Sequence, residues 1–259
     1  MKNLLKLMVF ISCFISMVNA QVVGVSANKL TLLSASILDK GSFEFEPAFS
    51  VFNSNNIFNE RGNLSRIAEH NISSSLDFRL TAGLTDNLEV GTSISSNIEE
   101  INFGSKYLLI NNDDFGFVLS GGFSLPAGNK VLSDSEVRNE LLYTATFGPV
   151  LSYNISDKSS IDFALSYTTA IGKVKFDDLF YGGIGWGYSF SEKLQAVLEV
   201  AGYACFDNEL CSGKLSVFPG FTYDIIENFS FAYGFQYDFM GKNEDGGFGY
   251  FGAFTISFN

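Results

Sequence analysis

The chain has 259 residues, with 28 acids against 16 bases and a net charge of −12, which argues against nucleic acid as a partner. It is nonetheless apolar, 46% hydrophobic and 15% aromatic, with 25 Gly, 4 Pro and a single His. After the first residues no stretch approaches the ~20 apolar residues of a membrane helix; if such a chain is exported, a periplasmic β-protein and a β-barrel with a lipid-facing wall are the two alternatives.

The chain opens like a secretory signal. Lys2 and Lys6 precede an apolar run from Leu4 to Val18, and Val18-Asn19-Ala20 offers small residues for cleavage before Gln21. Residues 1–20 are therefore expected to be a signal peptide. Cys13 lacks the residues a lipid anchor needs before it. Residues 21–41 are expected to be either a periplasmic N-terminal segment or a plug that enters the barrel, and residues 42–259 the barrel itself.

From Ser42 onward the hydrophobic period is two. In the clearest stretch Ile72, Leu76, Phe78, Leu80, Ala82 and Leu84 alternate with Ser73, Ser75, Asp77, Arg79, Thr81 and Gly83. Side chains alternate across a strand, so one face is oily and the other polar; a helix would mix Asp77 and Arg79 with the leucines. The pattern starts at Phe43, Phe45, Phe49 and Val51 opposite Glu44, Glu46 and Ser50. It recurs at Leu88–Ser95, Ile101–Leu109, Phe115–Leu125, Leu141–Tyr153, Ile161–Ile171, Phe180–Phe190, Leu194–Tyr203, Leu215–Tyr223, Phe229–Phe239 and Phe248–Phe258. About twelve strands of about ten residues predict an all-β fold, a closed antiparallel transmembrane barrel. A soluble sandwich would carry more Lys and Glu on its second face, where this chain has Gly, Ser, Thr and Ala.

Tight polar turns at Thr85-Asp86-Asn87, Asn111–Asp114, Ser156-Asp157-Lys158, Ser191-Glu192-Lys193 and Ile226-Glu227-Asn228 alternate with mostly longer links. The longer links are Asn53–Glu69, Pro126–Asn139, Gly172–Asp178, Phe206–Gly213 and Gly241–Gly247; the short one at Asn97–Glu100 departs from the tendency. Short periplasmic turns and long outer loops are the usual asymmetry of such barrels. The last strand, ending Phe254-Thr255-Ile256-Ser257-Phe258-Asn259, resembles the signal read by barrel assembly machinery. Outer-membrane lipid, lipopolysaccharide, that machinery and a small-molecule solute are the expected partners, with the cell outer membrane as location.

The candidate lumen residues are the charges on the polar face: Glu44, Glu46, Asp77, Arg79, Glu89, Lys106, Asp162, Glu199 and Asp238. A charge buried in a narrow barrel needs a partner or water, so Arg79 and Lys106 are expected to meet Glu44, Glu46 or Glu89. Two readings follow: an acidic, water-filled, cation-preferring pore, or a salt-bridged core stiffening a plugged barrel. Cys205 and Cys211 are close enough in sequence to form a disulfide, or to remain as two thiols.

Catalysis has little support. His70 is the one base, and a single strand cannot set Ser73 or Ser75 at reach of it. No catalytic residue, cofactor or metal is expected; acidic pairs such as Asp113-Asp114, Asp177-Asp178 and Glu244-Asp245 lack the spacing of a calcium loop. Trp186, Tyr188, Tyr143, Tyr153, Tyr233 and Tyr237 suit interfacial girdles. The glycines at 182, 183, 185 and 187 let the wall bend or pack closely.

Two stretches, Leu38-Asp39-Lys40-Gly41-Ser42-Phe43-Glu44-Phe45-Glu46 and Asp77 through Gly91 with its Gly83-Leu84-Thr85-Asp86-Asn87-Leu88-Glu89 core, resemble the MetA-pathway of phenol degradation family of outer-membrane proteins. In this chain Thr81-Ala82 separate Arg79-Leu80 from Gly83, a departure from the family spacing. The resemblance implies a barrel that passes small, often hydrophobic or aromatic compounds. Sugar-acid porins of similar size would carry many lumen arginines, which this chain lacks. The leading expectation is passive passage of small molecules. The alternative is a non-transporting, structural or partner-binding barrel with a plugged lumen, and an outer-membrane hydrolase ranks third.

Overall fold

The computed structural model describes residues 24–26, 29–128, 143–172, 178–205 and 211–258, without the side chains of residues 67–70. Residues 1–20 and the side chain of His70 therefore lie outside the described residues. The strands in chain order are β1 (Phe43–Phe58), β2 (Leu64–Thr85), β3 (Leu88–Ser95), β4 (Glu100–Asn111), β5 (Phe115–Pro126) and β6 (Tyr143–Ser156). They continue as β7 (Ser159–Ile171), β8 (Leu179–Ser189), β9 (Leu194–Cys205), β10 (Gly213–Ile226), β11 (Phe229–Lys242) and β12 (Glu244–Phe258).

Each strand pairs antiparallel with its sequence neighbours, and β1 pairs with β12 from Phe43↔Phe258 to Phe58↔Glu244. The result is a closed twelve-stranded barrel with no free edge around its girth. Closure is what a strand wall in hydrocarbon requires, because lipid offers no partner for an unpaired N–H or C=O. Both barrel termini lie at the end that carries the two- to four-residue turns; this is the turn end, and the opposite rim is the loop end.

The alternation orients as expected. The oily rows face outward and stay exposed, among them Phe43, Leu76, Leu80, Phe103, Phe123, Phe147, Ile184, Leu198 and Phe254. Trp186, Tyr188 and Phe190 form a ring ladder with centroids 6.1 and 5.2 Å apart near the turn end, and the Trp186 indole donates to Ser159 Oγ at 2.9 Å. This suits an interfacial girdle, where an aromatic body meets apolar surroundings and a polar tip finds a partner.

The loop-end links differ from the sequence expectation in two places. The expected Asn53–Glu69 loop is mostly a hairpin: β1 continues to Phe58, β2 begins at Leu64, and Ile57↔Ser65 and Phe58↔Leu64 pair across it. A register shift near Ser54 and Asn56 lets the pairing continue, and Phe58 turns inward to lie 3% exposed. The Gly241–Gly247 link shrinks to a turn at Asn243, which adopts a positive φ of 51°, a conformation Asn tolerates better than most residues.

Residues 24–26 and 29–40 lie inside the barrel. Val25, Leu32, Leu33 and Ala35 are at most 3% exposed and form one apolar cluster with the wall residues Val118, Val150, Ala164 and Ala201. The segment then reaches β1 through Gly41, whose φ of 88° suits a residue with no Cβ. Gly41 N–H donates to Gly83 O at 2.8 Å, and Gly83 N–H to Ser42 O at 3.0 Å.

Candidate functional site: the internal segment and its charged sockets

The inner face holds charge in two ways. In the first, wall side chains satisfy each other. Glu46 and Arg79 are direct register partners across β1 and β2, and Arg79 Nη2 donates to Glu46 Oε2 at 2.6 Å. Thr255 Oγ1 donates to the same oxygen at 2.9 Å, and Ser257 Oγ donates to Glu44 at 3.3 Å. Asp77 takes a hydrogen bond from Ser75. Nearer the loop end, Lys214 sits 3.1 Å from Asp238 and 5.1 Å from the centre of the Phe52 ring. Ser216 and Gln236 donate to Asp238 at 2.6 and 2.9 Å, and the Tyr203 hydroxyl donates to Glu244.

In the second, the partner is the internal segment, and three sockets hold it. The first is Glu89 and Lys106, direct register partners on β3 and β4, both 0% exposed and 3.5 Å apart. The ammonium of Lys106 makes three bonds, all to the segment: Ser26 O at 3.0 Å, Ser26 Oγ at 2.8 Å and Ser36 O at 2.6 Å. Glu89 accepts from Ser26 N–H at 2.8 Å, Ser26 Oγ at 2.7 Å and Leu38 N–H at 3.0 Å. One wall pair thus grips the segment at Ser26 and again at Ser36 and Leu38.

The second socket is Asp162 on β7. Lys29 Nζ bonds its Oδ2 at 2.5 Å, and Ser152 Oγ bonds its Oδ1 at 2.5 Å. Ser152 in turn accepts Ala35 N–H at 2.8 Å. The third is Glu199 on β9, fully buried. Its carboxylate accepts three successive N–H groups, Leu30 at 3.0 Å, Thr31 at 2.9 Å and Leu32 at 3.2 Å, as well as Thr31 Oγ1 at 2.6 Å. Its register neighbours on the wall are Gly185 and Phe218, neither with a polar side chain to offer. A buried carboxylate with no wall partner would be costly to leave unpaired, and here the turn of the segment stabilises it with oriented N–H dipoles.

Inner-face glycines make room for the segment. A Cβ at Gly91 would lie 1.9 Å from Gly24 O, one at Gly83 2.1 Å from Asp39 O, and one at Gly183 2.4 Å from Leu32 Cδ1. The glycines of β8 therefore leave space for Leu32 inside, while Trp186 and Tyr188 keep the outer face aromatic.

All nine candidate lumen residues sit on strands whose polar face is the inner one. The structure brings together Glu46 with Arg79 and Glu89 with Lys106; Asp162, Glu199 and Asp238 find partners that the sequence reading had not named, in Lys29, the backbone of residues 30–32, and Lys214. Three missed residues had left a signal. Val118, Val150 and Val197 occupy polar-face positions, and inward valines in a water-filled lumen would have no reason to be there. Cys205 and Cys211 are bonded to each other at the loop end, Cα to Cα 5.5 Å. Among the described residues no cluster of three or more His, Cys, Asp or Glu could hold a metal ion.

Neither a protein-family model nor a curated protein matches the chain. Solved structures do. An outer-membrane channel from Pseudomonas putida F1 superposes with a TM-score of 0.68 at 11% identity, covering 86% of this chain and 98% of that one. The fold is that of an outer-membrane β-barrel. The NanC porin gives 0.53 at 9% identity, over 84% of this chain and 99% of its own. The KdgM porin in complex with disordered oligogalacturonate gives 0.50 at 11% identity, over 84% and 99%. At these identities the likeness is one of architecture.

Proposed function

We propose that the protein is an outer-membrane channel for passive passage of small molecules, with its lumen closed by its own residues 24–26 and 29–40 and opened when they withdraw. The observation that carries this reading is the way the segment is held. It adds no strand to the wall, and three discrete sockets of ionic and hydrogen-bonding groups grip it. Each socket is a wall charge that water could solvate in an open lumen. With the segment out, the inner face presents Glu44, Glu46, Asp77, Glu89, Asp162, Glu199 and Asp238 against Arg79, Lys106 and Lys214, an excess of acid that favours cations over anions. The resemblance carried by residues 38–46 and 77–91 adds small hydrophobic or aromatic compounds as the solute class.

A second reading has its own support. The apolar cluster around Leu32, Val118 and Val150 resembles a permanent core, as expected of a structural or partner-binding barrel. Conductance of the refolded mature protein in planar bilayers under a salt gradient, with and without residues 24–40, separates the two. A gated channel gives brief cation-preferring openings intact and sustained ones after deletion. A barrel silent in both forms, yet folded, supports the second reading.

A further inference from the structure

The outer wall carries a depression at odds with the aromatic surface around it. Ala82, Val90, Ser105 and Gly121 are register neighbours on β2 through β5 and form one row of small and medium outward positions. Phe43 stands at one end of the row, paired with Ala82, and Phe147 at the other, paired with Gly121. Phe103 and Phe123, stacked with centroids 4.9 Å apart, close it toward the loop end, and the exposed Tyr107 and Leu119 lie on the turn side. The hollow has a volume of about 580 Å³, within the ~300–1,000 Å³ of small-molecule sites.

Its chemistry is apolar. The two outward hydroxyls spend their protons on the wall, Thr92 donating to Asn102 O at 2.8 Å and Ser105 to Gly121 O at 3.2 Å, and Thr81 beneath them is 0% exposed with its side chain on the inner face, so the floor presents no free donor to water or to a polar headgroup. The hollow is open outward, since a Cβ at Gly121 would meet nothing nearer than Thr146 O at 3.9 Å. It is closed inward: the floor is one backbone thick, and Gly24 of the internal segment lies against Gly91 and Gly104 on its other side.

We propose that this hollow is a lipid site that takes an acyl chain of a membrane phospholipid. The setting selects the occupant. The hollow lies in the apolar outer wall, rimmed by the exposed Phe43, Phe103, Phe123 and Phe147, where hydrocarbon chains surround the barrel. Water does not fill a space without polar partners. A second barrel presents a convex wall, which would rest on the Phe43, Phe103, Phe123 and Phe147 rim without reaching the floor. A flexible chain can enter and restore the dispersion contacts that the missing side chains forgo.

The test is native mass spectrometry of the full mature protein, purified from lipid vesicles of phosphatidylethanolamine and phosphatidylglycerol into a delipidating detergent. Wild type should retain one phospholipid per barrel. Ser105→Leu/Gly121→Leu, which fills the hollow, should reduce retention about tenfold, whereas Gly182→Leu, outward on β8, should leave it unchanged. Gly121→Val alone, a smaller filling, should give an intermediate loss and serves if the double variant fails to show the heat-shifted gel mobility of a folded barrel. Equal retention in wild type and the filled variants, or none in wild type, overturns the proposal. A dimer that dissociates on filling also overturns it, in favour of a second copy.

Discussion

The arc from β3 to β9 and the arc from β10 through the closing seam to β2 solve the same problem differently. Both bury charge on the inner face of one narrow barrel. On the seam arc the solution lies in the wall: Glu46 faces Arg79 and Asp238 faces Ser216 in direct register, and Thr255, Ser257, Gln236 and Lys214 complete the bonds. On the other arc the wall leaves its charges incomplete. Lys106 makes its three bonds to residues 26 and 36, Asp162 takes Lys29, and Glu199 depends on the backbone of residues 30–32. Permanent structure can be built either way, but only the second arc can exchange its partner for water.

The largest effect is expected from Lys106→Met, which leaves Glu89 buried without its cation. Removing one partner of a buried pair costs about 3–5 kcal/mol, so the urea midpoint of the folded barrel should fall clearly. An unchanged midpoint would mean the pair is already hydrated.

Next is Glu199→Ala, which strips three N–H groups and a hydroxyl of their acceptor. At about 1–3 kcal/mol for a buried donor left unsatisfied, the segment should leave the lumen far more often, read as a rise in open-channel probability and in protease cleavage within residues 24–40. Protection equal to wild type would show that apolar packing alone holds the segment.

Gly91→Val should act in the same direction by shape alone, because its Cβ would fall 1.9 Å from Gly24 O. The cleavage assay should register this, with less effect than Glu199→Ala because the sockets remain. The smallest effect is expected on the seam arc. Arg79 and Glu46 keep 15% and 13% of their side chains exposed, so Arg79→Gln should cost little stability and leave the segment in place. Its reversal potential in an opened channel should shift toward stronger cation preference. A large rise in segment cleavage in Arg79→Gln would erase the distinction between the arcs.

The wall was legible in the sequence because its rule is local. Alternation at Ile72–Leu84 or Phe229–Phe239 states which side faces lipid, and the short turns state which end is which. The hairpin beyond Val51 was not legible, since Asn53-Ser54-Asn55-Asn56 looks like a loop and becomes strand only because β2 and β12 both pair with it. The nine charged candidates could be placed on the inner face by parity, and Arg79 and Lys106 could be expected to meet Glu44, Glu46 or Glu89, but which acid takes which base is settled only by the register. The sockets did not follow, because their partners lie more than 50 residues away in a segment with no period of its own. Even so, register alone shows Glu199 between Gly185 and Phe218 without a polar wall partner, and inward Val118, Val150 and Ala164 side by side as an apolar patch on a face that would otherwise meet water. Those two conflicts mark where a further piece of chain must come in.

A gate that cannot withdraw cannot open, so a covalent lock on the internal segment should keep the lumen shut. Ala35 N–H already bonds Ser152 Oγ at 2.8 Å, so Ala35→Cys/Ser152→Cys, in a Cys205→Ser/Cys211→Ser background, can tether the segment to β6. Single barrels in a planar bilayer should be silent when this pair is oxidised and open to cation-preferring currents on adding reductant. Currents of the same size and frequency in the oxidised and reduced states would show that the segment is not the gate.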